Sequence, residues 1–387
     1  MNKIAELISK LCPDGVELKT LDSLVDYVQP GPYIVSSTEY DAHYRTPVLS
    51  AGQSFILGYT NEEEGIYNAS PQNPVIIFDD FTTSFHWVDF DFKVKSSALK
   101  ILKIKDIRKA DFRYIYMAMK TIVFIPTNHI RHWISLYSKF EIPLPPLNVQ
   151  KEIVSILDSF TSLIDMMKQE AEMRKKQMDY YREKLFSFGK GECEWRTLNE
   201  LFTFKNGINK EKSDFGRGTP IINYVDVYRK RGLVKEDIKG LVNSNASEQS
   251  RYKCKRGDVF FTRTSETKEE VGFPSVLLED IENCVFSGFV LKATPTTDLL
   301  DTHYCKYCFF TYQFRKEVIK SATYTTRALT NGTSLSKISI PVPSIEKQRQ
   351  IASILDTFET YISKLEKMIE LRQKQYEYYR EKLLTFE

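Results

Sequence analysis

Few residues in this chain of 387 have the types and spacing that chemistry demands. Cys305-x-x-Cys308, with Cys254, Cys284 and His303, holds ligand types suited to tetrahedral zinc. Cys305 and Cys308 fall in an apolar helix-like run, however, where thiols pack as small hydrophobes, and packing is their expected role. His129-x-x-His132 lacks further ligands nearby. Pro13-Asp14 with Glu17-Leu18-Lys19 has the residue types of a metal-dependent nuclease, but the gap is too short to put the acids on neighbouring strands. There is no Gly-x-Gly-x-x-Gly and no phosphate-binding Gly-x4-Gly-Lys-Ser/Thr, and the Asn/Asp-Pro-Pro-aromatic tetrad of an amino-methyltransferase is also missing. Five histidines are few for metal or acid–base catalysis. The expectation is no catalytic residue, no metal and no cofactor.

What remains is binding. Short loops interleave basic, aromatic and small polar residues: Lys205-Asn206-Gly207, Tyr228-Arg229-Lys230-Arg231 and Arg251-Tyr252-Lys253. Arg and Lys suit phosphates and guanine edges, Gln and Asn suit adenine, and Glu can accept from cytosine. The candidate DNA-contacting residues are Gln53, Thr82, Thr83, Ser84, Arg131 and His132 in the first half of the chain. In the second half they are Lys205, Asn206, Asn223, Arg263, Thr264, Ser265, Glu266 and Arg327. Each could equally be a turn or capping residue. The balance of 54 Lys+Arg against 51 Asp+Glu, net +3, excludes a polybasic tail protein, an acidic disordered chain and a histone-like binder. It leaves room for a local basic face.

The elements that must position these loops come from a repeat. IPLPPLNVQKEIVSILDSF begins at Ile142 and IPVPSIEKQRQIASILDTF at Ile340, 198 residues on. From Ile142–Phe188 against Ile340–Phe386, 22 of 47 positions are identical. In each copy, residues at alternating steps of four and three form an almost wholly apolar stripe. It runs from Ile153 through Leu157, Phe160 and Ile164 to Phe188, and from Ile351 through Leu355, Phe358 and Ile362 to Phe386. Such a stripe over about five heptads is a coiled-coil seam. About 38 helical residues make a rod of roughly 55–60 Å, and the seam of each copy predicts pairing with the other. Upstream of each helix lies a diverged segment of short Val/Ile/Phe/Tyr/Thr runs, read as small twisted sheets. Helix-like stretches follow at Asp111 to Thr121 and Thr302 to Ser321. Faint echoes join these segments: Thr46-Pro47-Val48 with Thr219-Pro220-Ile221, and Val75-Ile76-Ile77-Phe78 with Val259-Phe260-Phe261.

The expected fold is α+β: two small mixed α/β domains on two long helices that form an antiparallel coiled coil with pseudo-twofold symmetry. The limits are 1–141 for the first domain, 142–190 for the first helix, 191–339 for the second domain and 340–387 for the second helix. The helices repeat residues outside the seam. Tyr180, Arg182, Glu183 and Lys184 return as Tyr378, Arg380, Glu381 and Lys382, while Asp158 returns as Asp356. A constant outer face suggests one kind of partner docked twice, and diverged domains suggest two ligands. No apolar run approaches the length that spans a bilayer, the Met1–Leu11 stretch carries Glu6 and Lys10 unlike a signal peptide, and six irregular cysteines point to a reducing cytoplasm.

These motifs resemble the specificity subunit of type I restriction–modification systems. The likeness lies in two copies of IP-x-P-x4-Q-x2-I-x-S-I-LD-x-F, each closing a diverged segment and opening a heptad helix that ends in YYREKL. GDVFFTRTSET (Gly257–Thr267), CVFSGFVLK (Cys284–Lys292) and FDDFTTSF (Phe78–Phe85) resemble target recognition domains of that family. The resemblance implies a non-catalytic subunit in which each domain reads one half of a bipartite DNA target. It also implies helices that fix the spacer and dock two modification methyltransferase subunits, which bind S-adenosylmethionine and methylate adenine. A restriction/translocase subunit, using ATP and Mg, can join. A coiled-coil scaffold whose globular ends bind proteins is the alternative, and a self-sufficient methyltransferase would need a cofactor pocket.

Overall fold

The computed structural model describes Glu6, Lys10 and residues 12–13, 15–52, 54–126 and 130–386. The chain forms two units: Met1–Met167 with Met368–Glu387, and Lys168–Lys367.

The first unit contains β1 (Leu18–Thr20), α1 (Leu21–Leu24), β2 (Val25–Val28), β3 (Thr46–Leu49), β4 (Ile56–Thr60), β5 (Val75–Asp79), β6 (Phe85–Val88), β7 (Lys93–Val94), β8 (Leu99–Ile104), α2 (Phe112–Met119), β9 (Glu141–Pro143) and the start of α3 (Leu147–Leu185). A four-stranded antiparallel sheet runs β2-β8-β5-β6. A second sheet, β4-β3-β7, has β3 and β7 parallel, and β1 pairs with β9. The run Val75-Ile76-Ile77-Phe78 is buried throughout, as a continuous apolar stretch on a central strand should be.

The second unit opens with the end of α3, then β10 (Glu194–Thr197), α4 (Leu198–Leu201), β11 (Phe202–Asn206), β12 (Phe215–Ile222), α5 (Tyr224–Arg229), β13 (Gly232–Leu233), β14 (Leu241–Val242) and α6 (Ala246–Arg251). It continues through β15 (Val259–Thr262), β16 (Thr264–Ser265), β17 (Pro274–Leu277), β18 (Val285–Phe286), β19 (Val290–Pro295), α7 (Thr302–Cys308), α8 (Tyr312–Ser321), β20 (Thr323–Tyr324), β21 (Ala328–Leu329), α9 (Gly332–Leu335), β22 (Ser339–Val342) and the start of α10 (Ile345–Thr385), whose end belongs to the first unit. The same plan returns. β11-β19-β15-β17 repeats β2-β8-β5-β6, β14-β12-β18 repeats β4-β3-β7 with β12 and β18 parallel, and β10 pairs with β22 as β1 does with β9. The faint sequence echoes fall at matching places, since Thr46 and Thr219 lie in β3 and β12 and Val75 and Val259 open β5 and β15.

Both expected mid-domain helices form. Asp111 caps α2 by accepting from Tyr114 N–H at 3.0 Å. The stretch Thr302 to Ser321 differs from expectation by breaking in two. Thr311 interrupts it and re-caps the chain, its hydroxyl accepting from Phe314 N–H at 3.4 Å.

Each domain is fastened to its long helix by the same clamp. Gln150, fully buried, accepts from Asp111 N–H at 2.8 Å and donates to Pro145 O at 2.7 Å and Lys109 O at 3.5 Å. Gln348, also fully buried, accepts from Asp301 N–H at 2.8 Å and donates to Leu299 O at 2.8 Å and Pro343 O at 2.9 Å. The hydroxyls of Tyr114 and Tyr304 donate to Pro143 O and Pro341 O, each at 2.8 Å. Asp158 and Asp356, expected on the outer face, turn instead toward their own domains. Arg113 donates twice to Asp158. Asp356 meets His303 and Lys306 at 2.8 Å each and the Tyr307 hydroxyl at 2.7 Å. Burial raises the Asp356 carboxyl, but hydrogen bonds from Lys306 and Tyr307 outweigh it and hold the group below its ordinary value.

The seam is as expected. Ile153, Leu157, Ile164, Ala171 and Met178 are buried on α3, and Ile351, Leu355, Ile362, Leu365 and Leu383 on α10. In the first unit Phe160 packs on Tyr379 at 5.5 Å between ring centroids, and in the second Tyr181 packs on Phe358 at 5.6 Å. Early residues of one helix therefore meet late residues of the other, so the pairing is antiparallel. Each pair becomes the other under the 198-residue offset of the sequence repeat. Lys175 and Glu366 add an ion pair at 2.8 Å. The units differ from the limits expected from the repeat because each globular part takes in the stretches of both helices that complete its core.

Candidate nucleic-acid interface

In the first domain the candidates converge on the corner after β5. The Asp79 carboxylate accepts from the N–H groups of Phe81 and Thr82 at 2.9 and 2.8 Å, folding the chain back toward β6. Thr83 takes φ +58°, a left-handed conformation uncommon for a β-branched residue. The Ser84 hydroxyl donates to Ala51 O at 2.5 Å and His86 bonds Gly52 O at 3.3 Å, which ties Ala51 and Gly52 to the corner. Gln53 itself, like His129 of the His-x-x-His pair, lies outside the described residues. His132 N–H donates to Asp80 O at 2.8 Å, bringing the Arg131–His132 segment to the same corner. Thr82 and Arg131 are exposed there, whereas Thr83 and His132 are buried. The His132 ring packs against Phe124. Thr83 and His132 thus shape the corner from beneath.

Sequence reasoning passed over Asp80 and Lys100. Both are 1% exposed and their charged atoms lie 3.2 Å apart, with the other Asp80 oxygen accepting from Trp133 N–H at 2.8 Å. The legible signal was a pair of acids inside the apolar run Phe78–Phe81, since a buried charge needs a partner.

The second domain builds its counterpart after β15. Arg263 O accepts from Thr330 N–H at 2.9 Å as Asp80 O accepts from His132 N–H, so Arg263 and Asp80 hold equivalent places. Arg263 donates through Nη1 to Gly288 O at 2.9 Å. β16 pairs with β21, and Glu266 and Arg327, both largely exposed, come within 3.9 Å across about 60 residues of chain. Ser265 is buried beneath them. A groove lined by Lys205, Asn206 and Arg263 together with Asn331, Thr333 and Ser334 adjoins this edge. Lys205 donates to Arg251 O and lies 5.5 Å over the Tyr252 ring. Asn223 stands apart from the groove, at the start of α5, where its amide donates to Ile221 O at 3.3 Å and its N–H to Asp226 at 2.8 Å. Arg315 on α8 holds the loop that follows Glu266, donating to the carbonyls of Glu269, Val271 and Gly272 at 2.9, 2.7 and 2.6 Å. Burial brings its guanidinium down to about 10, still charged at neutral pH.

Of the candidate partner-facing residues, Tyr180 and Tyr378 are 61% and 57% exposed, and each lies under the lysine four residues on, Lys184 or Lys382, at 6.0 and 5.8 Å. Glu381 is exposed. Arg182 and Glu183 serve the second unit itself. Arg182 bonds Asp179 at 2.7 Å and Glu183 at 3.1 Å, and Glu183 accepts from Tyr312 N–H at 3.0 Å. Arg380 is half-buried, 5.8 Å over the Tyr376 ring. Cys305 and Cys308 lie in the apolar core, where burial pushes both thiols well above their ordinary range. Among the described residues, no cluster of three metal-ligating side chains occurs and no helix is long and apolar enough to cross a membrane.

A sequence profile of the type I restriction modification DNA specificity domain matches residues 13–173 and again 190–373. The chain belongs to this family. The specificity subunit of the type I restriction enzyme EcoR124I/EcoR124II of Escherichia coli is 37% identical to this one over 398 residues, 96% of this chain and 95% of that one. The EcoKI specificity subunit of Escherichia coli K12 is 23% identical over 252 residues, 60% of this chain and 53% of its own length. The crystal structure of a type I restriction–modification S subunit from M. genitalium shares the fold, with a TM-score of 0.58 at 16% identity over 95% of this chain and 96% of that one. In this type I specificity subunit the two profile matches fall on the two halves of the duplication, and each takes in one of the corners just described.

Proposed function

We propose that this subunit reads a bipartite, asymmetric DNA target, one half through the Thr82–Ser84 corner with Gln53 and Arg131, the other through Arg263–Glu266 with Lys205, Asn206 and Arg327. The observation that carries this reading is one fold built twice with opposite chemistry at the equivalent corner position, a buried Asp80 in one domain and Arg263 in the other. A shared fold presents each edge alike, and divergent edges suit different base sequences. The antiparallel helices set the unread spacer. Their repeated faces, Tyr180 with Lys184 and Tyr378 with Lys382, dock two modification subunits. Those partners bind S-adenosylmethionine and methylate adenine, and a restriction subunit with ATP and Mg joins the same assembly. The chain itself holds no cofactor, catalyses nothing and works in the cytoplasm.

The test is to express the chain with its modification subunits and map methylated adenines by sequencing. The expected result is one split motif, with nothing methylated by the chain alone. Replacing Arg263–Glu266 changes one half-site only, and lengthening both helices changes the gap and leaves the half-sites as they were. An undivided motif, or a change in both half-sites, overturns the assignment.

A further inference from the structure

Phe289 lies in the turn between β18 and β19 with 69% of its surface exposed. The turn is rigidly held. Gly288 N–H donates to Ile208 O at 2.8 Å, Val290 N–H to Ser287 O at 3.0 Å, and Arg263 N–H to Phe289 O at 3.3 Å. A Cβ on Gly207 would stand 2.2 Å from Ser287 O, so the two backbones meet there with no room for a side chain, and one on Gly288 would stand 1.9 Å from Asn209 Oδ1, where the Asn209 amide fills the space.

The first domain supplies an internal control. There Asp80, the equivalent of Arg263, donates its N–H to Ala98 O at 2.9 Å. Ala98 therefore occupies the place of Phe289. The fold makes this turn with a methyl group in one domain and a benzyl group in the other, so packing does not demand the ring. The ring stands beside polar chemistry: β19 pairs in register with β11, Leu291 opposite Asn206 and Lys292 opposite Lys205. Arg263 is bonded to the turn itself.

We propose that Phe289 is a specificity residue that stacks on a base or base step of the half-site read by the second domain. Its contribution is through stacking and local DNA shape, alongside the hydrogen-bonding readout of Arg263 and Asn206. The proposal rests on the DNA-reading function given above. Every base presents a π-face, so such a contact adds affinity without neutralising a phosphate.

The experiment uses the full chain with its modification subunits and a duplex carrying the mapped motif, with 2-aminopurine placed in turn at the purines of the second half-site. Phe289→Ala lowers affinity roughly 10- to 100-fold, changes the 2-aminopurine fluorescence at one position, and leaves the salt dependence of binding unchanged. Phe289→Trp keeps the affinity and Phe289→Leu does not. The thermal transition of Phe289→Ala stays with the parent, as Ala98 in the first domain requires. Affinity within twofold of the parent, with unchanged fluorescence, overturns the stacking role. Arg263→Ala separates the two levels. If it disturbs methylation at the second half-site while Phe289→Ala is silent, only the stacking role falls; if both are silent, the DNA-reading face falls with it.

Discussion

The clamp made by Gln348 offers a sharp test of how a recognition domain is held to its helix. Gln348→Met keeps the side chain's length and removes its amide. Three backbone groups then lose their partner at once: Asp301 N–H, Leu299 O and Pro343 O, bonded at 2.8, 2.8 and 2.9 Å. Each bond contributes about 0.5–1.5 kcal/mol net, and a group left buried without a partner costs more. The expected loss is about 3 kcal/mol, which for a unit of this size lowers the melting temperature by roughly 6–12 °C. Gln150→Met has a weaker third bond to lose, the 3.5 Å contact with Lys109 O, so its cost falls to about 2 kcal/mol. Urea unfolding of the full chain, with amide exchange at Asp301 and Asp111 as local reporters, measures both. A loss under 1 kcal/mol for Gln348→Met, or a larger loss for Gln150→Met, would refute the reasoning.

Three further outcomes follow from the same geometry. Lys205→Ala, on the exposed rim of the groove, lowers the salt slope of DNA binding by about one, measured as affinity against salt concentration. Asp356 has a folded-state pKa below its unfolded value, so the stability it contributes is complete above about pH 4 and is lost as the pH falls further; Asp356→Asn flattens this acid limb in unfolding measured from pH 6 to 3. Arg315→Ala strips three loop carbonyls of their donor, and trypsin then cleaves after Lys268 faster than in the parent, read by mass spectrometry.

The long helices and the buried strands were legible because their signals are periodic or continuous. A 4–3 stripe repeated at a fixed offset leaves little choice of partner, and Val75–Phe78 can only be an interior strand. Antiparallel pairing was legible from symmetry alone, and Phe160 on Tyr379 matches it. The clamp was visible only as a repeated letter. Gln150 and Gln348 stood in the motif, but nothing in one dimension says that an amide will close on three backbone groups, two of them 39 and 41 residues away for Gln150 and 47 and 49 for Gln348. The outer face was read too generously for the same reason. Glu183 and Asp356 look like solvent-facing charges on a helical wheel, while their partners Tyr312 and Tyr307 come from other elements. At the candidate interface, residue type drew attention to stretches that fold into two corners. It could not separate exposed Thr82 and Arg131 from buried Thr83 and His132, since burial there is decided by loops that sequence patterns do not place. Phe289 was hidden because an aromatic in a strand-rich segment reads as core.

The closing stretch of α10 has a bearing on how the protein is made. Leu383 and Leu384 lie buried in the core of the first unit, among residues such as Leu21, Tyr114 and Ile153. The second unit is one continuous span, Lys168–Lys367. On the ribosome the amino-terminal domain is synthesised first, yet its apolar core is complete only once Leu383 and Leu384 have emerged. Domains that wait in this way expose sticky surface during synthesis, and the closing contact spans a loop of about 200 residues whose entropy must be overcome late. The second domain, one continuous span, can therefore close on itself first, and the core of the first is completed by the end of α10.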